Sequence, residues 1–161
     1  MKIDPIGSII HYISAKNIWP EEKYNVSVII ERILIPEKLS YHFLIGRSGL
    51  IYQLVPLAYR SFHAGYSTLN GRDFCNGFCF GVALVSTGED FTEEQIESCI
   101  GLHKDLIKEH GIKPHWIEGH KKVRDTWNLR YLDRKAADKY DPGPNFPWDK
   151  FREAIFPEVM P

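Results

Sequence analysis

The run FCFGVALVST, residues 78–87, constrains this chain more than any other stretch. Its apolar character is continuous rather than alternating, so both faces of such a strand have to be covered. That places it in the middle of a sheet. The segments around it alternate between strand and helix signals. GSIIHYIS, residues 7–14, reads as a strand with Ile9, His11 and Ile13 on one face and Ile10 and Tyr12 on the other. His11 then sits near its carboxyl end, where sheet meets loop. YHFLIG and LIYQLVP flank Arg47-Ser48-Gly49, a short turn whose glycine can take positive φ, and predict a hairpin.

Helix signals fill the gaps. From Asn25 to Ile35, Val26, Ile29, Ile30 and Ile33 recur at spacings of three and four. The β-branched residues weaken that helix, and Pro36 is expected to end it. A stronger helix starts after Thr92, which forms a capping-box pattern with Gln95. Its apolar stripe runs Ile96, Cys99, Ile100, His103, Leu106, Ile107 and His110, and Gly111 suits the C-terminal cap. His103 and His110 read as packing or surface residues. PHWIEGH then reads as a short strand delivering His120, and PWDKFREAIF as a terminal helix with Pro147 near its start. The whole predicts an α/β chain, residues 1–161 in a single domain, with a mixed β-sheet flanked by helices.

Composition narrows the function. Hydrophobic residues at 43% and charges at 25% are those of an ordinary globule. A formal net charge of −1 argues against a general nucleic-acid partner. No apolar run approaches the roughly 18–20 residues that cross a bilayer, so no membrane insertion is expected. The amino terminus, MKIDPIGSIIHYIS, is a poor secretory signal, which points to synthesis in the cytoplasm. Cys75, Cys79 and Cys99 read as reduced, buried thiols, and the single C-x3-C spacing is weak support for a metal.

No HExxH, Walker loop, GxSxG or dinucleotide fingerprint occurs. Seven histidines are the richest source of chemistry, but they lie far apart, and spacing alone does not single out any three. From Lys121 to Lys139 the chain carries +4, from seven basic residues against Asp125, Asp133 and Asp138, while the rest sums to −5. This stretch is either a solvated helical face or a lure for an anionic ligand.

In order along the chain, IIHYIS, SYHFLIGRSGLIYQLVP, SFHAGYS, CFGVALVSTG, EGH and KYDPGPNFPW resemble the zinc-dependent N-acetylmuramoyl-L-alanine amidases. That family includes short phage endolysins and the peptidoglycan recognition proteins. The resemblance implies an amidase- and recognition-protein-like fold, a Zn2+ cofactor, and His11, His120 and Asp141 as metal ligands with a fourth position left for water. It implies cleavage of the amide joining the lactyl group of N-acetylmuramic acid to L-alanine, with peptidoglycan or a muropeptide as partner. Lys139, two residues before Asp141, is implied as the cation that steadies the oxyanion; otherwise it is one more charge on a basic helix.

Two departures stand out. Cytosolic members carry a catalytic glutamate where this chain has Ala83, and alanine cannot move a proton. Phage and recognition-protein members instead place a tyrosine before the hairpin strand, and Tyr41 fits. Its alternative is a core aromatic. That substitution favours an endolysin-like enzyme released to the wall during phage lysis, with recycling of small muropeptides as the other setting. The rival class is a binding module that recognises muropeptides without cutting them. His63 in FHAG matches a motif that lines the substrate cleft of relatives, or else serves behind the ligands; His42 should point the other way and be structural. The second departure is the long step from His120 to Asp141, which predicts an extra helix over the cleft across residues 121–137.

Overall fold

The computed structural model describes residues 1–133 and 136–157. Arg134 and Lys135 of the basic stretch, and residues 158–161 of the expected domain, lie outside them. Strands β1 (Gly7–Ile13), β2 (Phe43–Ile45), β3 (Ile51–Gln53), β6 (Cys79–Val85) and β7 (Ile117–Gly119) form one sheet in the order β3-β2-β6-β1-β7. β6 is central and buried along its whole length, as its unbroken apolar run requires. β1 pairs in parallel with β6 and β7, β2 pairs in parallel with β6, and only the β2–β3 hairpin is antiparallel. Gly49 takes φ +87° in the hairpin turn, and a Cβ there would also meet the Glu94 carbonyl at 2.8 Å. A small hairpin, β4 (Thr68–Leu69) with β5 (Arg72–Asp73), stands apart.

The period-2 alternation sorts the core into layers. Ile10, Phe43, Ile45, Phe80, Val82 and Leu84 face helices α3 (Glu93–His110) and α5 (Trp148–Ile155). On the other face Ile13, Leu44, Ala83 and Val85 meet Ile29, Leu34 and Tyr41. α3 carries the full capping box between Thr92 and Gln95 and ends on Gly111 at φ 64°.

The helix predicted from Asn25 forms, with one correction. α1 (Val26–Ile29) runs into a π-helical stretch, Ile30–Leu34, and then α2 (Ile35–Glu37), so Pro36 lies inside the last turn. The wider turn makes this tolerable: Ile35 N–H reaches back five residues to the Ile30 carbonyl, and the missing Pro36 N–H falls where the α-helical ladder has already been broken. The helix ends one residue later, with Lys38 at φ 54°.

His103 occupies the core under the sheet. Its Nδ1–H donates to the Cys99 carbonyl at 2.8 Å, and Ser8 Oγ–H donates to its Nε2 at 2.9 Å. Burial pushes its pKa down from 6.5 to about 4. Below pH 6.5 the unfolded chain takes up a proton that the folded ring refuses, so stability falls with pH through that window and levels off near pH 4. The share of this one ring is on the order of 3 kcal/mol. Urea unfolding of His103→Gln across the window should show a shallower loss of stability towards acid than the wild type.

Candidate metal centre

The parallel strands aim their carboxyl ends at one place. His11 is the fifth residue of β1 and pairs with Ala83 of β6, while β7, on the other side of β1, ends at Gly119 and hands His120 to helix α4 (His120–Tyr131). Clefts outside the carboxyl ends of parallel strands are where α/β sheets bind ligands. Asp141 joins from the loop before α5. Its Oδ2 lies 2.8 Å from His11 Nδ1 and 3.3 Å from His120 Nδ1, and one atom from each of the three residues falls within 4.8 Å of the others. Among the described residues this is the one His/Cys/Asp/Glu group arranged to hold a metal.

The three side chains each turn a possible ligand atom towards a common point, as a metal site requires. Asp141 is anionic: burial alone would raise its pKa, but the two histidines outweigh that and hold it below the usual carboxylate range. His63 Nε2 faces the Cys79 carbonyl at 3.3 Å, which can only accept, so this nitrogen carries the proton. His63 Nδ1 must then accept from His11 Nε2–H at 3.0 Å. In the neutral ring this leaves His11 Nδ1 as a lone pair towards Asp141, and in the protonated ring Nδ1–H donates to that carboxylate. His120 repeats the arrangement, because its Nε2–H donates to the Ala64 carbonyl at 3.2 Å and its Nδ1 is left to Asp141. An extra proton on His11 is opposed by burial, which lowers its pKa to about 4. With both rings neutral, two Nδ1 lone pairs and a carboxylate are a donor set for a divalent ion.

The other candidate residues surround this centre. The Tyr41 ring is 5.1 Å from that of His11, and burial pushes its phenol above its ordinary pKa, with Asp141 adding to the effect. The phenol therefore stays protonated. Lys139 is partly buried, and its charge is one of those that lower the His11 pKa. Ala83 is fully buried beside His11, so the glutamate position is filled by packing alone.

His63 departs from the expected contact with substrate. It is 5% exposed, and both ring nitrogens are committed, one to His11 and one to Cys79. It sits behind the His11, His120 and Asp141 cluster, with Nδ1 towards His11 Nε2. His42 faces away, bonded to Ser61, Gly81 and the Tyr59 carbonyl. The three cysteines are free and buried. The expected helix over residues 121–137 ends at Tyr131, because Leu132 turns left-handed at φ 50°.

Sequence reasoning missed the supports. Asn76 Oδ1 accepts both His63 N–H and Ala64 N–H and so sets the loop behind the histidines. Gly81 leaves room for His63: a Cβ there would lie 2.6 Å from the ring. Gly81→Ala must therefore push the ring away from His11, and chelator competition should show metal affinity falling by roughly tenfold to a hundredfold. A cleft of about 480 Å³ is lined by Gly119, Lys121, Tyr140, Pro142 and Trp148, among others, which include the sequence neighbours of His120 and Asp141.

The chain matches known proteins over most of its length. A profile of the N-acetylmuramoyl-L-alanine amidase family matches residues 3–144. The 1,6-anhydro-N-acetylmuramyl-L-alanine amidase AmpD of Citrobacter freundii is 33% identical over 121 residues, covering 74% of this chain and 59% of that protein. This chain thus spans about three-fifths of the length of that relative. The crystal structure of a selenomethionine derivative of AmpD superposes with a TM-score of 0.73 at 28% identity, over 94% of this chain and 85% of that one. The Escherichia coli amidase AmiD, solved in complex with anhydro-N-acetylmuramic acid-L-Ala-D-gamma-Glu-L-Lys, gives 0.74 at 25% identity, over 96% and 58%.

Proposed function

Because the chain belongs to the N-acetylmuramoyl-L-alanine amidase family, we propose that it is a zinc-dependent hydrolase of the amide between the lactyl group of N-acetylmuramic acid and L-alanine. The observation that carries this reading is the convergence of His11 Nδ1, His120 Nδ1 and the Asp141 carboxylate, with one ligand atom of each within 4.8 Å of the others. Zinc bound there supplies a Lewis acid and an activated water at neutral pH.

The chain's own residues do the rest. His63 and the Ala64 carbonyl hold the two imidazoles with Nδ1 forward. Lys139 holds a fixed positive charge for the lactyl oxygen as the carbonyl becomes tetrahedral. Tyr41, kept protonated by its burial, donates a hydrogen bond towards the attacking oxygen or the leaving amine. The cleft walled by Tyr140, Pro142 and Trp148, with Lys121 and Lys122 balanced by Glu118 and Asp125 in its lining, is suited to a partly apolar stem peptide.

Tyr41 together with Ala83 supports an endolysin-like setting, in which the enzyme meets the wall during phage lysis. The names of the relatives support anhydro-muropeptides as substrates instead. One experiment covers both. The protein is incubated with purified peptidoglycan and with soluble anhydro-muropeptide, with and without chelator, and products are identified by mass. Peptides with a free L-alanine amine, formed only with metal, are expected. Bound muropeptide without any cleavage would replace the enzyme with the binding module.

A further inference from the structure

Helix α4 creates a problem that Arg124 solves. His120 begins the helix and Asp141 must return to it after 21 residues, yet α4 carries the chain about 16 Å away at 1.5 Å per residue. Arg124 lies one turn along from His120, on the same face, and is only 6% exposed. Its guanidinium reaches three main-chain carbonyls: Nε donates to Tyr66 at 2.6 Å, Nη1 to Ala137 at 2.6 Å and Nη2 to Ala64 at 3.5 Å.

Each partner bears on the centre. The Ala64 carbonyl is the acceptor that fixes the His120 tautomer. Tyr66 lies two residues further along the same loop. Ala137 precedes Lys139 by two residues and Asp141 by four. From these contacts we infer that Arg124 is a positioning residue, a clamp that holds the loop behind His120 and the returning 137–141 segment on one helix face. It rests on the reading of the site given above and extends it to how the long step is closed. A lysine cannot replace it, because a single ammonium does not span three carbonyls that a planar fork with five N–H groups can serve.

Two readouts separate the clamp from the metal reading. The first needs no metal: Lys121 N–H donates to the Asp141 carbonyl at 2.9 Å, so hydrogen exchange at Lys121 reports closure of the insert. The second is zinc affinity by chelator competition. In Arg124→Ala, Lys121 exchange should quicken and zinc affinity fall by roughly tenfold to a hundredfold. Arg124→Lys should behave alike although it keeps the charge, and added guanidinium should restore part of both in Arg124→Ala. Ile155→Val, a core change in α5, should lower stability while leaving both readouts at wild-type values. If both Arg124 variants keep wild-type Lys121 protection and zinc affinity, the clamp is refuted. If they loosen Lys121 while the wild type takes no zinc, the clamp stands and the metal reading falls.

Discussion

Asp141→Asn should abolish zinc-dependent stabilisation and cut amide hydrolysis by roughly a thousandfold, about 4 kcal/mol of barrier. The carboxamide keeps the shape of the side chain but loses its negative charge, and two imidazoles alone fall short of the three protein ligands of a catalytic zinc site. The metal-free variant should behave in the opposite way. In the wild type, the Asp141 carboxylate faces His11 Nδ1 at 2.8 Å and His120 Nδ1 at 3.3 Å, and while both rings are neutral neither offers it a proton. An amide N–H can donate to His11 Nδ1, so metal-free Asp141→Asn should melt at or above the temperature of the metal-free wild type. Thermal unfolding with and without zinc, beside a rate measurement, reads all three outcomes. A metal-free variant much less stable than the wild type would mean that Asp141 serves mainly as a structural ion-pair partner.

The second large effect belongs to Lys139. Lys139→Met should lower kcat by roughly a hundredfold or more, the usual loss when a preorganised oxyanion donor is removed. Zinc affinity should stay unchanged, because Lys139 is not a ligand, and Lys139→Arg should recover part of the rate. Turnover with stoichiometric zinc, measured beside chelator competition, separates the two effects. An unchanged kcat would leave Lys139 as one more charge of the basic 121–139 stretch.

The sequence made its local devices plain and hid its distant ones. The Thr92–Gln95 capping box, the Gly49 hairpin turn and the continuous apolar run of β6 each act within a few residues, so composition and period reveal them. Pro36 misled because the π-helical turn that accommodates it has no signature in residue type. The centre itself was legible only through family resemblance. His11 and Asp141 are 130 positions apart, and nothing in spacing alone predicts that β1 and β7 are neighbours in the sheet. The supports were harder still. Asn76, Gly81 and Arg124 act through backbone groups or through room left for His63. Among the basic residues of the 121–139 stretch, Arg124 looks like any other until its burial is known.

Zinc K-edge absorption spectroscopy of the protein loaded with one equivalent of zinc tests the centre most directly. The account predicts two imidazole nitrogens at about 2.0–2.1 Å and oxygen ligands at about 2.0–2.2 Å in a four-coordinate shell. A sulfur shell at about 2.3 Å would move the metal to the cysteines, and a shell of oxygens without imidazole would leave His11 and His120 with no ion to hold. Either result contradicts the account.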